Sequence, residues 1–145
     1  MDTIPFAFIA AAIAMILGQS WKVLSPMLHG KMPNPAAFLQ SGGMPSSHTA
    51  ATAAMALTCG FRDGFGSTTF AVASVLTAVV AHDAVKVRGS INTIIRIMKA
   101  TVPEEVLLKE GSLPDTVGHS VLEVAFGFLL AGAVAAGCHF LLPAA

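Results

Sequence analysis

The chain has 145 residues, 54% of them hydrophobic and 11% charged, with a mean hydropathy of +0.74 and a formal net charge of +0. That is the length of one domain, and it is too apolar for an ordinary soluble protein, so membrane integration is the first reading. Charge neutrality argues against a nucleic-acid partner, and Cys59 and Cys138, in apolar runs without metal-ligand spacing, read as buried free thiols.

The first apolar run, Thr3 to about Leu24, predicts a helix of roughly 33 Å, enough to cross a hydrocarbon core. Asp2 stands where a signal peptide would carry positive charge, so this helix is expected to be retained. Gln19, Trp21 and Lys22 make its end amphipathic, which suits an interface. Ser25 to Gln40 reads as irregular, broken by Pro26, Pro33 and Pro35, with Phe38 and Leu39 at the membrane surface.

Gly42-Gly43-Met44-Pro45-Ser46-Ser47-His48 follows. Two glycines and a proline predict a sharp, bare corner, and two hydroxyls and an imidazole then open a helix. Small donors at a helix N-terminus suit an anion, with Gly43, Ser46 and Ser47 as phosphate-binding candidates. The alanine-rich helix to about Phe61 has about 14 to 16 residues, short for a span, and is expected inside the bundle. Arg62 to Gly66 is a tight connection, and Ser67 to Val85 is a third apolar run.

His82, Asp83, Lys86 and Arg88 stand near the end of that run, and Gly89-Ser90 is expected to break the chain. From Ile91 the pattern predicts an amphipathic helix, with Ile91, Ile94, Ile95, Met98 and Val102 on one face and Asn92, Arg96 and Lys99 on another. Pro103 suits the first position of a short helix, with Glu104 and Glu105 in its first turn and Gly111 at its end. Asp115 or Thr116 is expected to cap the last helix, running through His119 and Glu123 to about Leu142.

With spans at 3–24, 46–61, 67–87 and 118–142, one face holds Lys22, Lys31, Lys86, Arg88, Arg96, Lys99 and Lys109, and the other holds Arg62. The positive-inside rule places the basic face in the cytoplasm and both termini on the opposite side. His48, Asp83, His119 and Glu123 fall on the basic face too. Ionisable groups gathered in one leaflet are expensive, and they point to a site.

On a helix, His119 and Glu123 would stand about 40° apart, so the carboxylate could orient the imidazole as a nucleophile or base. His48 can supply a proton at the opposite helix start. Lys86 or Arg88 can neutralise phosphoryl oxygens, and Asp83 can hold one of these cations, orient a histidine or contact a metal. Lys22 and Lys109 are further cations on that face. The same cations also fit a plain positive-inside flank. His29 and His139 read as end residues.

Ser41-Gly42-Gly43-Met44-Pro45-Ser46-Ser47-His48-Thr49-Ala50 is similar to the signature of a divergent branch of the type 2 phosphatidic acid phosphatases, relatives of the vanadium-dependent haloperoxidases. His82-Asp83-Ala84-Val85-Lys86-Val87-Arg88 resembles that branch's Tyr-Asp-Ala…Val-Arg segment. Lys109-Glu110 and Gly118-His119-Ser120-Val121-Leu122-Glu123-Val124 resemble its closing Lys-Glu…Gly-His-Thr-Pro-x-Glu-Val. The likeness runs from about Lys22 to Gly127. Ser47 stands in place of the wider superfamily's glycine. His29-Gly30 and Ser112-Leu113 stand where that superfamily has Arg-Pro and Ser-Arg.

The resemblance implies a metal-independent membrane phosphatase acting on lipid or isoprenoid phosphates through a phosphohistidine, with no cofactor. It implies His119 as nucleophile, Glu123 as its orienting carboxylate and His48 as the group serving the leaving oxygen. Lys22 would take the place of the superfamily's first lysine, and Lys86, Arg88 or Lys109 would replace the missing arginines. The expected fold is all-α, a small integral membrane helix bundle over 1–145 as one domain, with about four core helices and one or two interfacial ones. Expected partners are a membrane lipid phosphate, the bilayer and, because four helices make a thin shell, a homodimer mate. The competing expectation is a lipid-phosphate binding or transport protein without turnover.

Overall fold

The structure, a computed structural model, describes residues 5–39, 42–109 and 117–141, with the backbone alone for Glu104, Leu108 and Lys109. The described residues are helical without strands: α1 (Phe6–Leu24), α2 (Ser47–Asp63), α3 (Thr68–His82), α4 (Arg88–Thr101), α5 (Glu104–Lys109) and α6 (Val121–Leu141). Two short 3-10 turns, Ser25–His29 and Pro35–Phe38, occupy the proline-broken stretch after α1. The helical regions Phe6–His29, Thr68–Thr101 and Val121–Leu141 are long and apolar enough to cross a membrane. The chain is an integral membrane helix bundle.

Its interior is made of small side chains. Ala10, Ala14, Ala50, Ala53, Ala54, Ala131, Val134 and Cys138 form the buried cluster, whereas Phe8, Ile16, Val72, Val75, Leu129 and Phe140 point outward. Lipid solvates large apolar groups as well as a protein core does, so helices in a bilayer gain more from close backbone approach than from burying bulk. Five alanines between Ala50 and Ala56 permit that approach on several sides of α2 at once. The helix packs against α1, α3 and α6, and it is the centre of the bundle. Its 17 residues are too few to make it a candidate span by length, in keeping with the expectation of an internal helix.

Gly127 of α6 marks the tightest of these contacts. A Cβ there would come within 2.7 Å of the Ser46 carbonyl oxygen and 3.3 Å of the Thr49 Cβ. Backbone cannot yield as a flexible side chain would, so any larger residue at 127 would push α6 off the start of α2.

Two expectations fail here. Gly89-Ser90 does not break the helix: α3 continues through a π-helical turn, Asp83–Val87, straight into α4, for 34 helical residues in all. At roughly 51 Å this helix exceeds a hydrocarbon core of about 30 Å, so its amphipathic end extends past the span without a hinge. The last helix does not run through His119; it begins at Val121. Its start is set by Ser120, whose Oγ accepts the Glu123 N–H at 3.2 Å while Glu123 Oε2 accepts the Ser120 N–H at 3.0 Å. This reciprocal capping box satisfies two orphan donors and leaves His119 outside the helix. The expected caps Asp115 and Thr116, and the helix end at Gly111, lie outside the described residues.

Candidate functional site

The C-terminal end of α1, the N-terminal end of α2, the π turn after α3 and the residues before α6 meet at one end of the bundle. They meet through hydrogen bonds across the chain. Ser46 N–H donates to the Glu123 carbonyl at 2.9 Å, His119 N–H to the Ala84 carbonyl at 2.9 Å, and Lys22 Nζ to Ser47 Oγ at 3.4 Å. Gly42 and Gly43 hold φ of 88° and 76°, left-handed conformations that L side chains rarely adopt, and they turn the chain into α2.

A cavity of about 360 Å³ opens at this end. Its polar wall is His48, Asp83, Arg88 and His119, with Ser46 beside them. Its apolar wall includes Met15 from α1, Ala51 from α2, and Val79 and Val80 from α3. His119 is 6% exposed, and neither ring nitrogen has a hydrogen-bond partner among the described residues. A buried imidazole with two free nitrogens is costly unless something arrives to use them. His119 lies before the α6 span, and burial, with Lys22, His48 and Arg88 adding like charge, lowers its pKa to about 4. The ring is therefore neutral at pH 7, the form with a free lone pair.

Among the described lysines and arginines, Arg88 is the one that lines this cavity. Its Nε donates to Asp83 Oδ2 at 2.7 Å, which fixes the guanidinium plane and leaves the terminal nitrogens for another acceptor. The π turn sets this spacing, because five residues per hydrogen bond place Asp83 and Arg88 one bond apart: Arg88 N–H donates to the Asp83 carbonyl. The Ala84 carbonyl, which an α-helix would have paired with Arg88, accepts His119 N–H instead. Sequence spacing alone could not reveal this exchange.

The other expected residues divide. His48, Ser46 and Asp83 line the cavity with Arg88 and His119. Lys22 is buried at 8% exposure but faces Ser47 and the Gly43 corner rather than the cavity lining. Ser47 donates to Gln19 Oε1 at 3.2 Å, so its hydroxyl is committed to α1, where Gly18 leaves room for it. Ser46 occupies the cap position of α2, yet its Oγ pairs with Thr49 Oγ1 at 2.9 Å instead of a helix amide. Lys86 is exposed and does not line the cavity. The Lys109 side chain lies outside the described residues.

The expected His119–Glu123 pair is absent from this arrangement, because the Glu123 carboxylate oxygen that bonds does so to Ser120. The physical reason is the helix start: a residue before the cap does not share a face with one three positions inside. Two residues went unrecognised in the sequence. Gln19 ties Ser47 to the Phe38 carbonyl, which its Nε2 reaches at 2.8 Å, and Asn92 holds the chain ahead of His119. Each left a signal only as a polar residue on an amphipathic helix, Gln19 at the end of α1 and Asn92 beside the apolar face of α4.

A sequence profile described as the Divergent PAP2 family matches residues 5–134. The chain belongs to the Divergent PAP2 family. A similar relative is the uncharacterized membrane protein YuiD of Bacillus subtilis (strain 168), 28% identical over 142 residues, covering 86% of this chain and 87% of that one. No solved structure matches the chain. The match to this Divergent PAP2 family spans the Gly42–His48 corner, the Asp83–Arg88 turn and His119, so every side chain on the cavity's polar wall lies within it.

Proposed function

We propose that this Divergent PAP2 protein is a phosphatase of membrane lipid phosphates, the ester or diphosphate of an apolar chain. The observation that carries the reading is the two-sided cavity, in which His48, Arg88 and His119 line one wall and Met15, Val79 and Val80 another. Such a shape suits an amphiphile with an anionic end. A His119 nitrogen attacks phosphorus, the bond from phosphorus to the leaving oxygen breaks, and protonated His48 gives that oxygen its proton. Arg88, braced by Asp83, holds the phosphoryl oxygens as charge builds on them. Water then attacks the phosphohistidine, gives a proton back to His48 as the bond from His119 to phosphorus breaks, and leaves inorganic phosphate with both histidines restored.

The experiment is phosphate release from phosphatidic acid, phosphatidylglycerol phosphate and undecaprenyl diphosphate in detergent micelles, with and without orthovanadate. Release from at least one substrate, inhibited by vanadate as a mimic of pentacoordinate phosphorus, is the expected result. Binding of these lipids with no release would instead support a carrier. That second reading has one observation in its favour: Glu123, the carboxylate expected to orient His119, is engaged in the α6 cap.

The site is assigned to the cytoplasmic face on its excess of lysine and arginine. Reporters fused after Ala145 are then active only as exported forms; a cytoplasmic C-terminus would reverse the orientation.

A further inference from the structure

The segment that carries His119 has no helix of its own to hold it. Three consecutive amides, of Val117, Gly118 and His119, are instead all taken by one stretch of the long helix. Asn92 Oδ1 accepts Val117 N–H at 2.7 Å and Gly118 N–H at 3.1 Å, while the Ala84 carbonyl accepts His119 N–H. One carboxamide oxygen has two lone pairs, enough for both bonds. Gly118 lies against the same stretch so closely that a Cβ would stand 2.6 Å from the Arg88 carbonyl carbon. The segment cannot slide along the helix without breaking these bonds or entering that backbone.

Arg88 lies between the two anchors, Ala84 and Asn92. The clasp therefore fixes His119 relative to Arg88, the cation on the same cavity wall. Asn92 itself is not among the cavity-lining residues. Its place on α4, past the π turn, brings its oxygen to residues 25 and 26 positions further along the chain. An amphipathic interfacial helix has no need of such a contact.

We propose that Asn92 is a positioning residue for His119, acting through the Val117 and Gly118 amides to hold the imidazole in register with Arg88. Its catalytic consequence rests on the phosphatase reading; its structural one does not. Misplacing a reacting group by an ångström costs on the order of a hundredfold in rate, so Asn92→Ala is expected to lower kcat at least about tenfold and to change KM less than about threefold. Asn92→Asp keeps an acceptor for both amides and is expected to restore kcat to within about threefold of the parent protein.

Two readouts need no turnover. Hydrogen exchange at the Val117 and Gly118 amides should quicken in Asn92→Ala and stay slow in Asn92→Asp. Modification of His119 by diethyl pyrocarbonate should quicken in the alanine variant alone. If Asn92→Ala is not monodisperse in detergent, Asn92→Ser, whose hydroxyl is one bond too short, takes its place. Parent-like exchange and modification in the variant would overturn the clasp, and unchanged kcat with quickened exchange would overturn the positioning role. A parent protein that releases no phosphate defeats the phosphatase reading, and the exchange and modification rates then decide Asn92 alone.

Discussion

His119→Ala, purified in a folded state, should release phosphate from lipid substrates about a thousandfold or more slowly than the parent protein. No other described histidine is buried with both ring nitrogens unpartnered, since His29, His48, His82 and His139 are exposed. In the proposed mechanism this substitution removes the covalent route, whereas lipid binding through Arg88 and the apolar wall should persist. KM should therefore change little while kcat collapses. Size-exclusion behaviour and helical circular dichroism separate this from misfolding. Because neither His119 nitrogen is hydrogen-bonded among the described residues, the substitution removes no polar contact there, and stability should be nearly kept. A folded His119→Ala with full activity would remove the nucleophile from the account.

Arg88→Ala should lower kcat/KM by about a hundredfold to a thousandfold, the usual loss when one group that meets transition-state charge is removed. Arg88→Lys should recover little of this. Lysine has no Nε–H to meet Asp83 at 2.7 Å, and a single ammonium cannot both keep that partner and present a fork to phosphoryl oxygens. Asp83→Asn should fall between parent and Arg88→Ala, because the guanidinium stays but loses its brace. Lys86→Ala supplies the contrast. The side chain is exposed and away from the cavity, so activity should stay within about twofold, as for most surface changes. Equal damage from Lys86→Ala and Arg88→Ala would mean that the wrong cation has been chosen. Steady-state phosphate release measured over a range of lipid mole fractions separates these outcomes.

The bundle was legible in the sequence because hydropathy and alanine content state what lipid requires. Long apolar runs and a short alanine-rich helix gave α1, α2, α3 and α6, and the placement of α2 inside. The gathering of His48, Asp83, Arg88 and His119 at one end was legible for a related reason: helices of known length alternate direction. What failed were relations that depend on partners. The spacing of His119 and Glu123 suggested one helix face, but Ser120-Val121-Leu122-Glu123 is also the pattern of a capping box, and the cap won. The π turn could not be read at all. It exists where the Ala84 carbonyl finds the His119 amide, a residue 35 positions away in the chain. Gly89-Ser90 looked like a break because glycine weakens helices, yet tertiary anchoring through Asn92 and the Gly118 contact carries the helix across it. Ser47 illustrates the same point: its hydroxyl was expected to meet phosphate, and it donates to Gln19 Oε1 instead.

The central claim is that a phosphoryl group passes through His119. The most direct measurement is rapid quenching of the purified protein with lipid labelled in its phosphate, followed by peptide mapping of the label. The account predicts an acid-labile, base-stable phosphate on the peptide containing His119, absent when orthovanadate is added first and absent from His119→Ala. Label on another peptide, or rapid phosphate release with no protein-bound phosphate at any quench time, would contradict it.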